Sequence, residues 1–256
     1  MKITFLGVWM TPDVGETVSF VLELTTGEKI LVDCGTNLVK SLTDAGIDPV
    51  SISHIIITHP HGDHISGLPT FLFYKLFYSA GIRGKPLSSI QIISIEDTIQ
   101  CVKKYIDIPY NNLSSHESIN YNVVSVNDVL NIGNCKFRFF ETNHKPTTIG
   151  FKSEVEEKSI VYSSDTAFCK EILAIADESD YLIHDVAATS KFKMLSGGHT
   201  LCDEIGKNLT EFKIGNFIPI HRISYYYNNM EPYVNELKEN YGGKITIVND
   251  GDSIAL

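Results

Sequence analysis

The chain has 256 residues, 43% hydrophobic and 20% charged, with a net charge of −10. This length builds one large α/β domain or two small ones, and the acidic balance argues against a whole-surface attraction for nucleic acid or anionic membrane. No apolar run reaches the roughly 18 residues that span a bilayer, and the five scattered cysteines (34, 101, 135, 169 and 202) contain no C-x-x-C pair. Reduced thiols in a cytoplasmic protein are therefore expected, with no membrane partner.

The N-terminal run "KITFLG" (2–7) reads as a strand, because it is too short for the apolar core of a signal peptide. "TVSFVLEL" (17–24) and "KILVDC" (29–34) are separated by a polar turn, which predicts a hairpin. A helix follows at 37–45, closed by Gly46, and then a buried strand, "HIIIT" (54–58). The segment "GLPTFLFYKLFYSAG" (67–81) reads as a helix that is apolar nearly all round, with Pro69 tolerated in its first turn. Beyond it lie a strand at 90–94, a helix near 96–105, and strands at 121–126, 135–142 and 148–153. No Pro/Gly/Ser linker interrupts the chain, so a single domain over 1–256 is expected.

Five strand-like runs end in Asp or His, namely Asp33, His59, Asp165, Asp185 and His221. In open α/β sheets ligands bind beyond the carboxyl ends of strands, so one shared reactive edge is expected. The densest part of that edge is "THPHGDH" (58–64), which holds His59, His61, Asp63 and His64. On an extended chain His59, His61 and Asp63 point the same way, and Gly62 supplies the backbone freedom to swing His64 round. Imidazole and carboxylate suit Zn²⁺, with Mn²⁺ or Fe as alternatives. A histidine-rich surface loop is the competing account, and the position directly after a buried strand disfavours it.

"THPHGDH" resembles the H-x-H-x-D-H signature of the metallo-β-lactamase superfamily, whose α/β (α+β) fold is a four-layer αββα sandwich. The resemblance implies that His59, His61 and His144 hold one zinc and that Asp63, His64 and His221 hold a second. Asp165 would bridge the two ions, and Asp33 would support the ligands from behind. The stretches "ITHPHGDHISGLP", "HKPTTIGF", "IVYSSDT", "LIHDVAAT", "GGHT" and "IPIHRISYY" are similar to the ribonuclease Z branch, whose members are phosphodiesterases. In that branch a carboxylate pairs with a histidine; the equivalents here are Asp185 and His199. Such a pair favours the protonated imidazole, which can donate a proton to a leaving alkoxide. The resemblance thus implies a dinuclear zinc hydrolase in which a metal-bound hydroxide cleaves a phosphodiester, with Asp63 positioning and deprotonating the water. His184 reads as packing, and His54 and His116 receive no role.

Departures narrow this reading. His144 and Asp165 are 21 positions apart, which leaves no room for the long arm of the transfer-RNA-maturing enzymes. Ser164 stands where glycine is usual, and "RISYYY" replaces the branch's final segment, placing Arg222 directly after a ligand. A small phosphodiester or a short nucleic acid is the expected substrate, with Lys191, Lys193 and Arg222 as weaker substrate-binding candidates. The segment 187–198 is a candidate lid, and the apolar helix 67–81 is a candidate homodimer surface. Transfer-RNA 3′-end processing, lactone, ester or thioester hydrolysis, and a non-enzymatic metal-stabilised sensor are the alternatives.

Overall fold

The computed structural model describes residues 1–84 and 88–256. Its contacts divide the chain into two compact units, one of residues 1–7, 16–125 and 249–256 and the other of residues 8–15 and 126–248. The first unit holds β1 (Lys2–Gly7), β2 (Ser19–Glu23), β3 (Lys29–Val32), β4 (His54–Ile56), β5 (Ile90–Ser94) and β6 (Ile119–Val123). The second holds β7 (Val129–Ile132), β8 (Cys135–Glu141), β9 (Ile149–Val155), β10 (Lys158–Tyr162), β11 (Tyr181–Asp185) and β12 (Asn216–Ile220). The chain then returns to the first unit with β13 (Ser253–Ala255).

Each unit is one sheet with helices packed on it. Among the described residues the first sheet runs β13-β1-β2-β3-β4-β5-β6 and the second β12-β11-β10-β9-β8-β7. β1, β2 and β3 pair antiparallel, which is the expected hairpin extended by one strand. From β3 through β6 the pairing is parallel, and it is parallel again from β10 through β12. Parallel strands need a covered face, and β3, β4, β11 and β12 are correspondingly buried along nearly their whole length, whereas the edge strand β6 (INYNV) is not. In the first unit Leu31, Ile55, Ile92, Leu68, Phe71 and Ile99 share one core. In the second, Val161, Leu182, Phe217, Ile205 and Leu237 share another.

Two expected helices appear with small changes of boundary, at Leu38–Asp44 and Glu96–Asp107. The segment 67–81 is helical but not uniformly α. Leu68–Phe73 is α-helical, Tyr74–Tyr78 forms a π-turn, and Ser79–Gly81 resumes the α-helix. The extra residue of a π-turn rotates the register. It turns Lys75 inward, where Nζ donates to the carbonyls of Val50 and Ile52 and to Ser88 Oγ. Burial lowers that ammonium's pKa to about 8. The helix is not fully enclosed either, since Phe73, Phe77 and Tyr78 remain 39%, 44% and 45% exposed.

Candidate metal centre and active site

In the first unit the reactive residues leave the ends of β3 and β4. Asp33 follows β3 with φ +57°, a left-handed conformation that non-glycine residues adopt at a cost. Its fully buried carboxylate is held by hydrogen bonds. Thr58 donates its backbone N–H to Oδ1 at 2.8 Å, and its hydroxyl lies 3.0 Å from both carboxylate oxygens. His64 Nδ1 sits 2.9 Å from Oδ2. An Nδ1–H donated to a carboxylate fixes the tautomer and leaves Nε2 as the ligating nitrogen. The two loops are also knitted by backbone bonds, from Cys34 N to His64 O and from Gly67 N to Cys34 O. Only glycine fits at position 67, because a Cβ there would lie 2.2 Å from the Gly35 carbonyl oxygen.

His59 Nδ1 lies 3.1 Å from Thr58 Oγ1, and its Nε2 faces His61 Nδ1 at 3.0 Å. Asp63 Oδ2 is 3.5 Å from His64 Nε2. These side chains converge, though by a different backbone path from the extended alternation expected. The chain is extended through His61 and then enters a helical turn over Gly62–Ile65. Neighbouring side chains on a helix diverge by about 100°, so the turn itself separates Asp63 from His64. Gly62 adopts no left-handed conformation, and its expected role as a swivel is not used.

In the second unit His144, Asp165, Asp185, His199 and His221 leave the ends of β8, β10, β11 and β12 or their following loops. His144 Nδ1 donates to the Gly198 carbonyl at 2.8 Å, and Nε2 lies 3.8 Å from Asp165 Oδ2. The same oxygen is 3.5 Å from His221 Nε2, so one carboxylate oxygen faces two imidazoles. His199 Nδ1 lies 2.9 Å from Asp185 Oδ2, the expected carboxylate–imidazole pair. Asp185 Oδ1 is also 3.4 Å from His221 Nδ1, and the His199 and His221 rings stack with centroids 5.0 Å apart. Burial opposes ionisation of Asp185, but the two imidazoles outweigh it and hold its carboxyl below the usual carboxylate range.

Ser164 and His221 both have left-handed backbone, with φ +53° and +62°. The left-handed backbone explains why position 164 suits glycine and makes Ser164 a strained departure. With Asp33, three strand exits in these loops carry backbone strain, the kind of strain that gathers at functional sites.

Sequence reasoning missed the residues that orient the ligands: Thr58, the Gly198 carbonyl and the contact of Asp185 with His221. For Thr58 its place directly before His59 in "THPHGDH" was the available signal. Of the substrate-binding candidates, Arg222 is placed differently from expectation. Arg222 is fully buried, donating to the Pro219 and Val248 carbonyls and lying over the Trp9 ring at 4.9 Å. That placement makes it a packing cation, since a guanidinium committed to backbone carbonyls is not open to substrate. Lys191 and Lys193 are both exposed, with Lys191 Nζ 2.7 Å from Tyr225 Oη. The candidate lid contains a 3₁₀ stretch, Ser190–Leu195. His184 packs as expected, fully buried, with Nδ1 on the Asp185 carbonyl and burial lowering its pKa.

Residues 1–214 match the family of the anti-Pycsar protein Apyc1. The chain belongs to the anti-Pycsar protein Apyc1 family. Among curated relatives, the anti-Pycsar protein Apyc1 of Bacillus phage BSP38 is 26% identical over 226 residues, covering 84% of each chain. Ribonuclease Z of Mycobacterium marinum is 24% identical over 269 aligned positions, covering 98% of this chain and 96% of that protein. Among solved structures, the metallo-β-lactamase fold protein YhfI of Bacillus subtilis superposes with a TM-score of 0.83 at 18% identity, covering 99% of this chain and 98% of that one. This Apyc1-family chain therefore has the expected α/β metallo-β-lactamase fold and is a metal-dependent hydrolase of the ribonuclease Z-like, phosphodiesterase kind. Among its described residues no helix is long and apolar enough to cross a membrane.

Proposed function

We propose that the side chains of the two units act together as one hydrolase domain over 1–256, holding two zinc ions and cleaving a small phosphodiester. In this reading His59, His61 and His144 hold one ion, Asp63, His64 and His221 hold the other, and Asp165 serves both. The observation that carries this reading is the orientation of the imidazoles. His64 and His144 each hydrogen-bond a carboxylate or carbonyl oxygen through Nδ1, and His221 Nδ1 faces Asp185 Oδ1 at 3.4 Å, which leaves each Nε2 for a metal. The donor set fits zinc, with manganese or iron as the substitutes. Such ions, when bound, lower the pKa of water and clamp the attacking and leaving oxygens.

The chain's own residues supply the rest. Asp63 positions the attacking water and accepts its proton. Asp185 keeps His199 oriented, so that a proton on its outer nitrogen can pass to the departing oxygen. Lys193, and Lys191 once it exchanges Tyr225 for substrate, give 187–198 positive charge to set against a phosphate as a closing lid.

A small substrate is favoured over transfer RNA because β9 and β10 are joined by a two-residue turn, Glu156-Glu157, where a substrate-binding arm would have to emerge. The net charge of −10 supports the same choice. Cyclic nucleotides are the first substrates to test, consistent with kinship to anti-Pycsar proteins. The zinc-loaded protein should cleave cyclic nucleotides or bis-aryl phosphates in a screen that includes a lactone and a precursor transfer RNA. Turnover of the lactone or the precursor RNA alone would overturn the reading in favour of the corresponding alternative.

The proposal includes a cytoplasmic setting, which the five free cysteines suit, and a homodimer. Phe73 stacks on Tyr110 at 4.8 Å, and beside them a cavity of about 270 Å³ opens between Phe77, Leu113 and His116. Exposed aromatic rings of this kind favour association. Light scattering at micromolar concentration should return twice the 28.5 kDa chain mass, with Phe77→Asp shifting it to the monomer. A wild-type protein that stays monomeric removes the dimer.

A further inference from the structure

We infer that Thr166 is a positioning residue that sets the spacing between the bridging-carboxylate position, the third histidine and the proton donor. This rests on the phosphodiesterase reading above for its consequences but not for its geometry. Thr166 is fully buried and follows Asp165. Three bonds run from it to three parts of the site. Its backbone N–H donates to Asp185 Oδ2 at 3.0 Å, the oxygen that also meets His199 Nδ1. Its hydroxyl accepts the N–H of Asn143, the residue before His144, at 3.2 Å. Its carbonyl accepts the hydroxyl of Thr200, the residue after His199, at 2.9 Å.

Further bonds close the frame. Thr166 Oγ1 donates to the Ala167 carbonyl at 2.7 Å, and Ala167 N–H donates to the Asn143 carbonyl at 2.9 Å. Thr142 Oγ1 donates to the Asp165 carbonyl at 2.7 Å. The Asn143 peptide groups before His144 and the Thr200 hydroxyl after His199 are thus each bonded to Thr166 or Ala167, and the Asp165 carbonyl is tied to Thr142. A hydroxyl that both accepts and donates fixes two peptides at once, and in a buried network the loss of one member leaves the others unsatisfied. Since Thr166 offers the reacting groups no side-chain atom of its own, its effect passes through them.

The test compares Thr166→Val, which keeps the shape and removes the hydroxyl, with Thr166→Ser, which keeps the hydroxyl. Two readouts are taken: zinc affinity by competition with a chromophoric chelator, and steady-state cleavage of a diester with a poor leaving group. Thr166→Val should bind zinc about tenfold more weakly, in the range seen when a residue orienting a ligand is lost. Its kcat should fall about a hundredfold, as misplacement of reacting groups by about 1 Å does, while KM stays within about threefold. Thr166→Ser should restore both to within about threefold of wild type. Unchanged zinc affinity and kcat in Thr166→Val, or a serine variant as impaired as the valine one, would overturn the inference.

Should Thr166→Val fail to fold, Thr200→Val tests the same frame from its other end. It should lower kcat about tenfold with the poor leaving group, lose less with nitrophenolate, and keep its zinc. An equal loss with both leaving groups, or none, counts against the inference. A wild-type protein that binds zinc yet cleaves no diester removes the phosphodiesterase reading alone, and the zinc affinities still decide the role of Thr166.

Discussion

Replacing His199 with alanine should lower turnover of a phosphodiester with a poor leaving group by about 10²- to 10⁴-fold while leaving metal content unchanged. The imidazole is 18% exposed, and its Nδ1 is 2.9 Å from a buried carboxylate, so it is both reachable by substrate and held in one orientation. Asp185 is kept ionised, and by holding Nδ1 it leaves Nε2 as the nitrogen whose proton is on offer to the leaving group. A leaving group that is already a weak base needs little protonation, so the loss should shrink with nitrophenolate. Equal losses for both leaving groups would mean that His199 positions substrate and does not donate a proton. Asp185→Asn should behave differently from His199→Ala. Because Asp185 Oδ1 also lies 3.4 Å from His221 Nδ1, the asparagine variant should lose zinc affinity as well as turnover.

Replacing Asp165 with alanine should remove more than one metal equivalent from a protein that otherwise carries close to two per chain. Its Oδ2 lies 3.8 Å from His144 Nε2 and 3.5 Å from His221 Nε2, and the residue is only 2% exposed. Both imidazoles face the same carboxylate oxygen in a buried space, so its removal leaves each ligand set facing a vacated carboxylate position. Activity should fall by at least about a thousandfold, since several kcal/mol of transition-state charge stabilisation leave with the metals. Elemental analysis of the variant decides the matter. One tightly held ion, unchanged between wild type and Asp165→Ala, would sink the dinuclear assignment.

Much of this protein was legible in its sequence because the strands that lead to the site from β3, β4, β11 and β12 are buried on both faces. "KILVDC", "HIIIT" and "YLIHD" are apolar runs that stop abruptly at Asp or His, and a parallel sheet needs both features: a covered strand and a reactive carboxyl end. The order of Asp33, the "THPHGDH" cluster, His144, Asp165 and His221 carried the family resemblance, and with it the fold. What the sequence could not convey was how those residues are held. Whether Gly62 swivels or enters a helical turn depends on backbone bonds such as His64 N to His61 O, made only once the loop is docked. Arg222 looked open to substrate because it follows a ligand, yet it is buried under Trp9, a residue more than 200 positions away. The double contact of Asp185, the π-turn that buries Lys75 and the frame around Thr166 likewise join residues far apart in the chain. Local pattern records which side chains are present and where strands end; hydrogen bonds between distant loops decide which nitrogen of each imidazole is left for chemistry.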